Sequence, residues 1–180
     1  MHCNINDLGL INMNNIAKLI VGTTIGFLSL SAIAATGPSI NSKTLSITLH
    51  SPASITANWV AESDLTSTKI MQPETLVGVL NLSNTSIESA TIRSTKAADA
   101  NQQGVITFEN DSGDTFGTTI STTNSNVSIE KRTGESVISS TTQGAFLPSS
   151  LDLNVKTTAG NTAVSSGTYN AVVSITTQIK

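Results

Sequence analysis

The stretch Leu45-Ser46-Ile47-Thr48-Leu49-His50 alternates apolar and polar residues without a break. Successive side chains of a β-strand point to opposite faces, so Leu45, Ile47 and Leu49 fall on one face and the polar residues on the other. Pro52 follows and ends the run, because proline is excluded from the interior of a paired strand. The pattern predicts a short β-strand with one apolar face, placed ahead of the main body of the chain.

A secretory leader is predicted before this strand. Residues 13–18 form a short polar stretch with one cation, and residues 19–30 are mainly apolar and are followed by an A-x-A site that ends at Ala34. These are the parts of a signal peptide, which predicts cleavage between Ala34 and Ala35. A membrane-spanning helix is the less favoured alternative, because such a span needs about 20 apolar residues.

Cleavage would remove the only cysteine of the chain, Cys3. An exported protein can use disulfides, but the processed chain would have none and no thiolate metal ligand. Residues 1–12 fit no part of a signal peptide, so Met13 is an alternative initiator. We therefore divide the chain into a leader (1–34), an N-terminal extension (35–51) and one domain (52–180).

Composition favours a folded β domain. Charged residues make up 12% of the 180 residues and the net charge is −3, which excludes a basic footprint for nucleic acid. A chain this polar could also be disordered. Its apolar residues, however, recur with a period of two: Ile55, Ala57 and Trp59 share one face of a strand, and Leu80 and Leu82 share one face of the next.

Further strands and turns follow to the end of the chain. The turn residues 110–114 predict a hairpin between strands at 105–109 and 115–121, and Thr133-Gly134 separates two weaker strand candidates. Residues 151–155 alternate cleanly, and 169–179 close the chain. Many short strands and no long helical period predict a single all-β sandwich.

The chain offers little for catalysis. Beyond the leader its only histidine is His50, on the polar face of the first strand, and no serine, histidine and acid set is apparent. Glu109, Asp111 and Asp114 lack the ligand order of a calcium loop, so we interpret them as part of a turn. Trp59 is expected in the core, with a ligand patch as the alternative. The sequence predicts no cofactor, no metal site and no enzyme.

Both ends of the chain resemble chaperone–usher fimbrial subunits of the disulfide-free group that forms thin fimbriae and capsule-like surface fibres. Gly167 stands fourteenth from the C-terminus, as a glycine does in that family, although Ile179 occupies a next-to-last position that is often aromatic there. The features that carry the resemblance are the Leu45/Ile47/Leu49 alternation followed by Pro52, the segment Glu74-Thr75-Leu76-Val77-Gly78-Val79-Leu80, the strand Val105-Ile106-Thr107-Phe108 and residues 166–175.

The resemblance implies an incomplete immunoglobulin-like sandwich that is completed by donor-strand exchange. The donor residues would be Leu45, Ile47 and Leu49 of a neighbouring subunit, in a homo-oligomeric fibre. A periplasmic chaperone would fill the groove beforehand, an outer-membrane usher would export the subunit to the cell surface, and a host receptor is a further candidate partner. The acceptor groove would be lined by Ile55, Ala57, Trp59, Tyr169, Ala171, Val173 and Ile175, with the opposite parity of the last strand as an alternative if a bulge intervenes.

Burial of the three donor residues would contribute about 5–9 kcal/mol in sum, against about 5–15 kcal/mol for the net stability of a typical domain. A subunit without the strand is therefore expected to be marginal. Three alternatives stay open from the sequence. Residues 45–49 would be the first strand of a closed sandwich that pairs within its own chain, or the protein would be a tip adhesin, or a secreted enzyme on a β-sandwich.

Overall fold

The computed structural model describes residues 40–50 and 55–179. The predicted leader, Ala34 and Ala35 lie outside these residues, as does Cys3. No helix among the described residues is long and apolar enough to cross a membrane.

The described residues are almost entirely β-structure. The helical elements among them are the single turn α1 (Ser67–Ile70) and a 3₁₀ turn at Ala97–Asp99. The strands are β1 (Ile40–His50), β2 (Ile55–Ala61), β3 (Leu76–Asn84), β4 (Ile87–Ser94), β5 (Val105–Glu109), β6 (Thr115–Ser121), β7 (Val127–Arg132), β8 (Glu135–Ser140), β9 (Ser150–Thr157) and β10 (Gly167–Ile179).

The strands form one hydrogen-bonded path that folds back on itself as a sandwich. Its order is β2-β3-β9-β6-β5-β10-β4-β8-β7, with β1 on the free edge of β10. Every pairing along this path is antiparallel, whereas β1 and β10 run parallel. The two halves of the path are joined through a single residue pair, Glu109 with Asn170. This is the predicted all-β, immunoglobulin-like sandwich.

Local sequence chemistry explains the hairpins. Asn110 Oδ1 accepts the backbone N–H groups of Ser112 and Asp114, at 3.0 and 2.8 Å, which closes the turn between β5 and β6. Gly134, with φ of 75°, provides the left-handed residue between β7 and β8. The predicted hairpin of β5 and β6 is confirmed. The two weaker strand candidates around Thr133-Gly134 are also strands, longer than the sequence indicated, and they pair as a second hairpin.

The core is a single apolar cluster that includes four aromatic rings in a row. Phe108 and Phe116 stack with 5.2 Å between their centroids; Trp59 lies 6.2 Å from Phe108, and Tyr169 lies 5.3 Å from Phe116. These rings come from β2, β5, β6 and β10, so they bridge the two halves of the path. Trp59 is 3% exposed and thus belongs to the core, as expected.

A register shift in β3 interrupts the regular alternation of buried and exposed side chains along that strand. Leu76 pairs with Lys156 while Gly78 pairs with Val155, so Val77 is the extra residue of a bulge and is fully buried. Gly78 packs directly beneath the ring of Trp59 and against the Val60 carbonyl. A side chain at this position has no room.

Replacement of Gly78 by alanine is expected to destabilise the domain by about 1–3 kcal/mol, the usual cost of overpacking. The added Cβ would lie 2.6 Å from the Val60 oxygen and closer still to the indole of Trp59. Gly167→Ala is the matched control, because the nearest atom to its Cβ is Asn110 Nδ2 at 3.7 Å. Urea unfolding of both variants measures the difference, and equal midpoints would contradict the close packing under Trp59.

Candidate functional site: the groove beside the last strand

The candidate site is the groove between β10 and β2, and in the isolated chain β1 fills it. The β1 ladder on β10 runs from Ile40 opposite Gly167 to His50 opposite Thr176. On the other side β1 lies against β2, where Trp59 Nε1 donates a 3.3 Å hydrogen bond to the Lys43 carbonyl. Within the described residues β1 therefore adopts the in-chain arrangement that the sequence left open as an alternative.

The floor of the groove comes from alternate residues of β10. The inward side chains are Tyr169, Ala171, Val173 and Ile175, each at most 4% exposed. No bulge reverses this parity along the segment that faces β1, since the pairing from Lys43 with Tyr169 to His50 with Thr176 is regular. From β2, Ile55 and Trp59 are buried and Ala57 is half-buried.

The three predicted donor residues meet the floor in order. Leu45 stands opposite Ala171, Ile47 opposite Val173 and Leu49 opposite Ile175. Leu45 is 1% exposed, whereas Ile47 and Leu49 are only half-buried. Among the three predicted donor residues, Leu45 is thus the one that is fully buried in this arrangement.

Two residues of β1 that the sequence did not single out are also fully buried, Ile40 and Lys43. Ile40 lies on the opposite parity from Leu45, and a register shift between Ile40 and Ser42 turns it inward. Period-two counting cannot detect such a shift. Lys43 shares the parity of Leu45, but a lysine on an apolar face is normally interpreted as an interruption.

The ammonium of Lys43 is held at the end of β2. Lys43 Nζ donates a short hydrogen bond to the backbone carbonyl of Glu62, the residue that follows β2. Burial lowers the pKa of Lys43 below its ordinary value of 10.5, and the nearby charges of Glu62 and Asp64 offset part of that effect. A buried cation is thus compensated at one end of the groove.

A polar network fixes the start of β10. Asn110 Nδ2 donates to the Tyr169 hydroxyl and to Ser165 Oγ, both at 3.1 Å, and the Tyr169 hydroxyl donates to the Ser165 carbonyl at 2.9 Å. Asp114 accepts hydrogen bonds from the backbone N–H and the hydroxyl of Ser165. The network joins the turn between β5 and β6 to the start of β10, which supplies the floor of the groove.

These groups also have shifted pKa values. The hydrogen bond from the Ser165 hydroxyl, together with that from its backbone N–H, lowers the pKa of the half-buried Asp114 below 3.8. Burial raises the pKa of Tyr169 above 10.0. Both shifts favour the hydrogen-bonded forms, with Asp114 ionised and Tyr169 neutral at neutral pH.

The acidic residues near the first turn have structural partners. Glu109 pairs with Lys96, and Asp114 serves the turn network described above. The described residues contain no cluster of histidine, cysteine and acidic side chains suited to a metal ion. The side chain of His50 lies outside the described residues.

Truncation of the buried Leu45 should lower the free energy of unfolding more than truncation of the half-buried Leu49. Leu45→Ala is expected to destabilise the isolated subunit by about 2–5 kcal/mol, because it leaves a cavity over Ala171. Leu49→Ala removes the same atoms from a partly exposed position and should cost clearly less. Urea unfolding of the purified monomers measures both, and an unaffected Leu45→Ala variant would show that β1 does not pack in this groove.

The Asp114 network should make the start of β10 sensitive to acid. A carboxyl whose folded pKa is depressed stabilises the fold above its unfolded pKa, and this contribution is lost as the pH falls through the folded pKa. The stability difference between wild type and Asp114→Asn should therefore be largest above pH 3.8 and shrink below it. Thermal unfolding from neutral to acidic pH measures this difference, and a difference that is constant with pH would contradict an ionised Asp114 in the network.

Comparison with known proteins identifies the family. No protein-family model matches the chain. Among curated proteins, the chain is 39% identical over 170 residues to a CS3 fimbrial subunit of Escherichia coli, an alignment that covers 93% of this chain and 100% of that protein. Identity of this extent over nearly the whole length, with an all-β sandwich and an N-terminal strand in a groove, places the chain in the family of fimbrial subunits.

Proposed function

We propose that this protein is the repeating structural subunit of a bacterial surface fimbria and that it polymerises by strand donation. Each copy would insert its β1, with Leu45, Ile47 and Leu49 facing inward, into the groove beside β10 of the next copy. The fibre would serve adhesion or form a surface coat. The protein is proposed to act without catalysis.

The observation that carries this proposal is the way β1 is attached. Among the described strands β1 pairs with β10 alone, and of its three predicted donor residues Leu45 is fully buried. Four residues, 51–54, connect it to β2. A strand with one ladder partner at the start of a domain can leave without breaking any other strand pair, which is what donation requires.

An empty groove would expose both unpaired backbone groups and apolar side chains. Without β1, the edge of β10 would present its backbone N–H and C=O groups over the length of a ten-residue ladder, beside the apolar side chains of Ala171, Val173 and Ile175. Such an edge is a template for association. A periplasmic chaperone is accordingly proposed to cover the groove before assembly, and an outer-membrane usher is proposed to pass the subunit to the cell surface.

Self-complementarity supports a fibre of identical copies. Within one chain, β1 pairs along the whole groove of its own domain, so its sequence fits that groove. A second copy carries the same strand and the same groove, so donation from each copy to the next is a head-to-tail contact that can continue along a fibre. A tip adhesin, the alternative from the sequence, needs a groove but no donor strand, and the presence of β1 favours the shaft.

The direct test compares fibre assembly by two variants, each with one aspartate substitution, on opposite faces of β1. Leu45→Asp puts a carboxylate into the apolar groove and is expected to abolish fibres. Thr48→Asp places the same charge on the other face and should leave fibres in place. Electron microscopy of cells that express each variant with the assembly machinery counts the fibres.

A deletion separates lost donation from lost folding. A subunit without residues 41–51 should not polymerise, but it should bind a free peptide of residues 40–51 and melt at a higher temperature with the peptide than without it. The Leu45→Asp peptide should give no such shift. Normal fibres from the deletion variant would refute donation by β1.

A further inference from the structure

The proposed function does not explain why β1 runs in the same direction as its partner strand β10. β1 runs parallel to β10, the one parallel pairing among the described strands. Parallel ladders are slightly less stable per residue than antiparallel ones. The apolar residues themselves do not choose a direction, because the order Leu45, Ile47, Leu49 reads the same both ways.

The connection to β2 imposes this direction within one chain. His50 ends β1 near the start of β2, while Lys43 lies beside Trp59 and Glu62 at the other end of β2. Reversal of β1 in the same groove would carry its C-terminal end about 20 Å along the groove, at about 3.3 Å per residue. Four linking residues span at most about 18 Å. A chain that fills its own groove must therefore do so in the parallel direction.

The register of β1 needs a separate cause. A slip of two residues keeps every side chain on its face and replaces one apolar contact by another, so the apolar pattern specifies the register weakly. Lys43 is the residue on the buried face of β1 that an aliphatic neighbour cannot replace, because its ammonium group needs a hydrogen-bond acceptor. A two-residue slip would move its ammonium about 6.6 Å along the groove, away from the Glu62 carbonyl that it contacts and from Asp64.

We propose that, whenever no chaperone occupies the groove, the unassembled subunit caps it with its own β1, in a register fixed by Lys43, and that this closed form has to open before β1 reaches another copy. The inference rests on the proposed function, since a closed monomer has regulatory meaning only if the same strand is donated. The occupant of the groove is a segment of this chain, residues 40–50. The closed form protects the edge of β10 and delays polymerisation until the strand is released.

Cysteine pairs on the outer face of β1 report its position. Ser46 is opposite Val172, and opposed residues of neighbouring strands are about 4.8 Å apart, within disulfide range. Thr48 is opposite Ser174, which places it about 8 Å from Val172, beyond that range. In a Cys3→Ser background, purified monomeric Ser46→Cys/Val172→Cys should form an intrachain disulfide about ten-fold or more faster than Thr48→Cys/Val172→Cys.

The locked monomer then tests whether β1 has to leave. Oxidised Ser46→Cys/Val172→Cys protein should not assemble, and a reductant should restore assembly to the level of wild type treated in the same way. If fibres form but the monomer gives no intrachain disulfide, self-capping is wrong and donation stands. If the fully oxidised monomer assembles normally, donation by β1 is wrong as well.

The ratio of the two disulfide-formation rates also tests whether Lys43 fixes the register of β1. Lys43→Met keeps the length of the side chain and removes the ammonium, so β1 should slip and the rate for Thr48→Cys/Val172→Cys should rise relative to that for Ser46→Cys/Val172→Cys. Lys131→Met, on the exposed strand β7, is the control and should leave the ratio unchanged. An unchanged ratio in Lys43→Met would overturn the assignment of Lys43 as the residue that fixes the register.

Discussion

The structure depends on the need of β10 for a partner on each edge. On one side β10 pairs first with β5 at Asn170 and then with β4 from Val173 to Ile179. On the other side its partner among the described strands is β1. Because β10 also contributes Tyr169, Ala171, Val173 and Ile175 to the core, loss of β1 would expose backbone and apolar surface together. The N-terminal strand thus completes this edge of β10 and covers its apolar side chains.

Much of this arrangement could be predicted from the sequence, because strands with one buried face leave a period-two signature. The alternation of Tyr169, Ala171, Val173 and Ile175 predicted the inward face of the last strand, and the residues at 110–114 predicted the turn of the first hairpin. Local patterns failed where the backbone leaves regular geometry. The bulge at Val77 and the register shift after Ile40 each bury a residue that alternation assigns to the outside.

Lys43 was missed for a different reason. Its side chain is buried among apolar residues because the Glu62 carbonyl and the charges of Glu62 and Asp64 compensate its ammonium. Those partners are nearly twenty residues away in the chain and come together only when β1 lies beside β2. Long-range compensation of this kind leaves no local signal. The proposed closed form takes its register from this residue, because three aliphatic side chains that can replace one another specify the register only weakly.

One measurement tests the central claim, that in the fibre each groove holds the strand of a different copy. Fibres would be assembled from an equal mixture of ¹⁵N-labelled and unlabelled subunits, cross-linked between β1 and β10, and analysed by mass spectrometry of the linked peptides. Strand donation predicts linked pairs of mixed mass, in which a labelled β1 is joined to an unlabelled β10 and the reverse. Linked pairs that are all fully labelled or fully unlabelled would mean that β1 stays in its own domain, and would contradict the account.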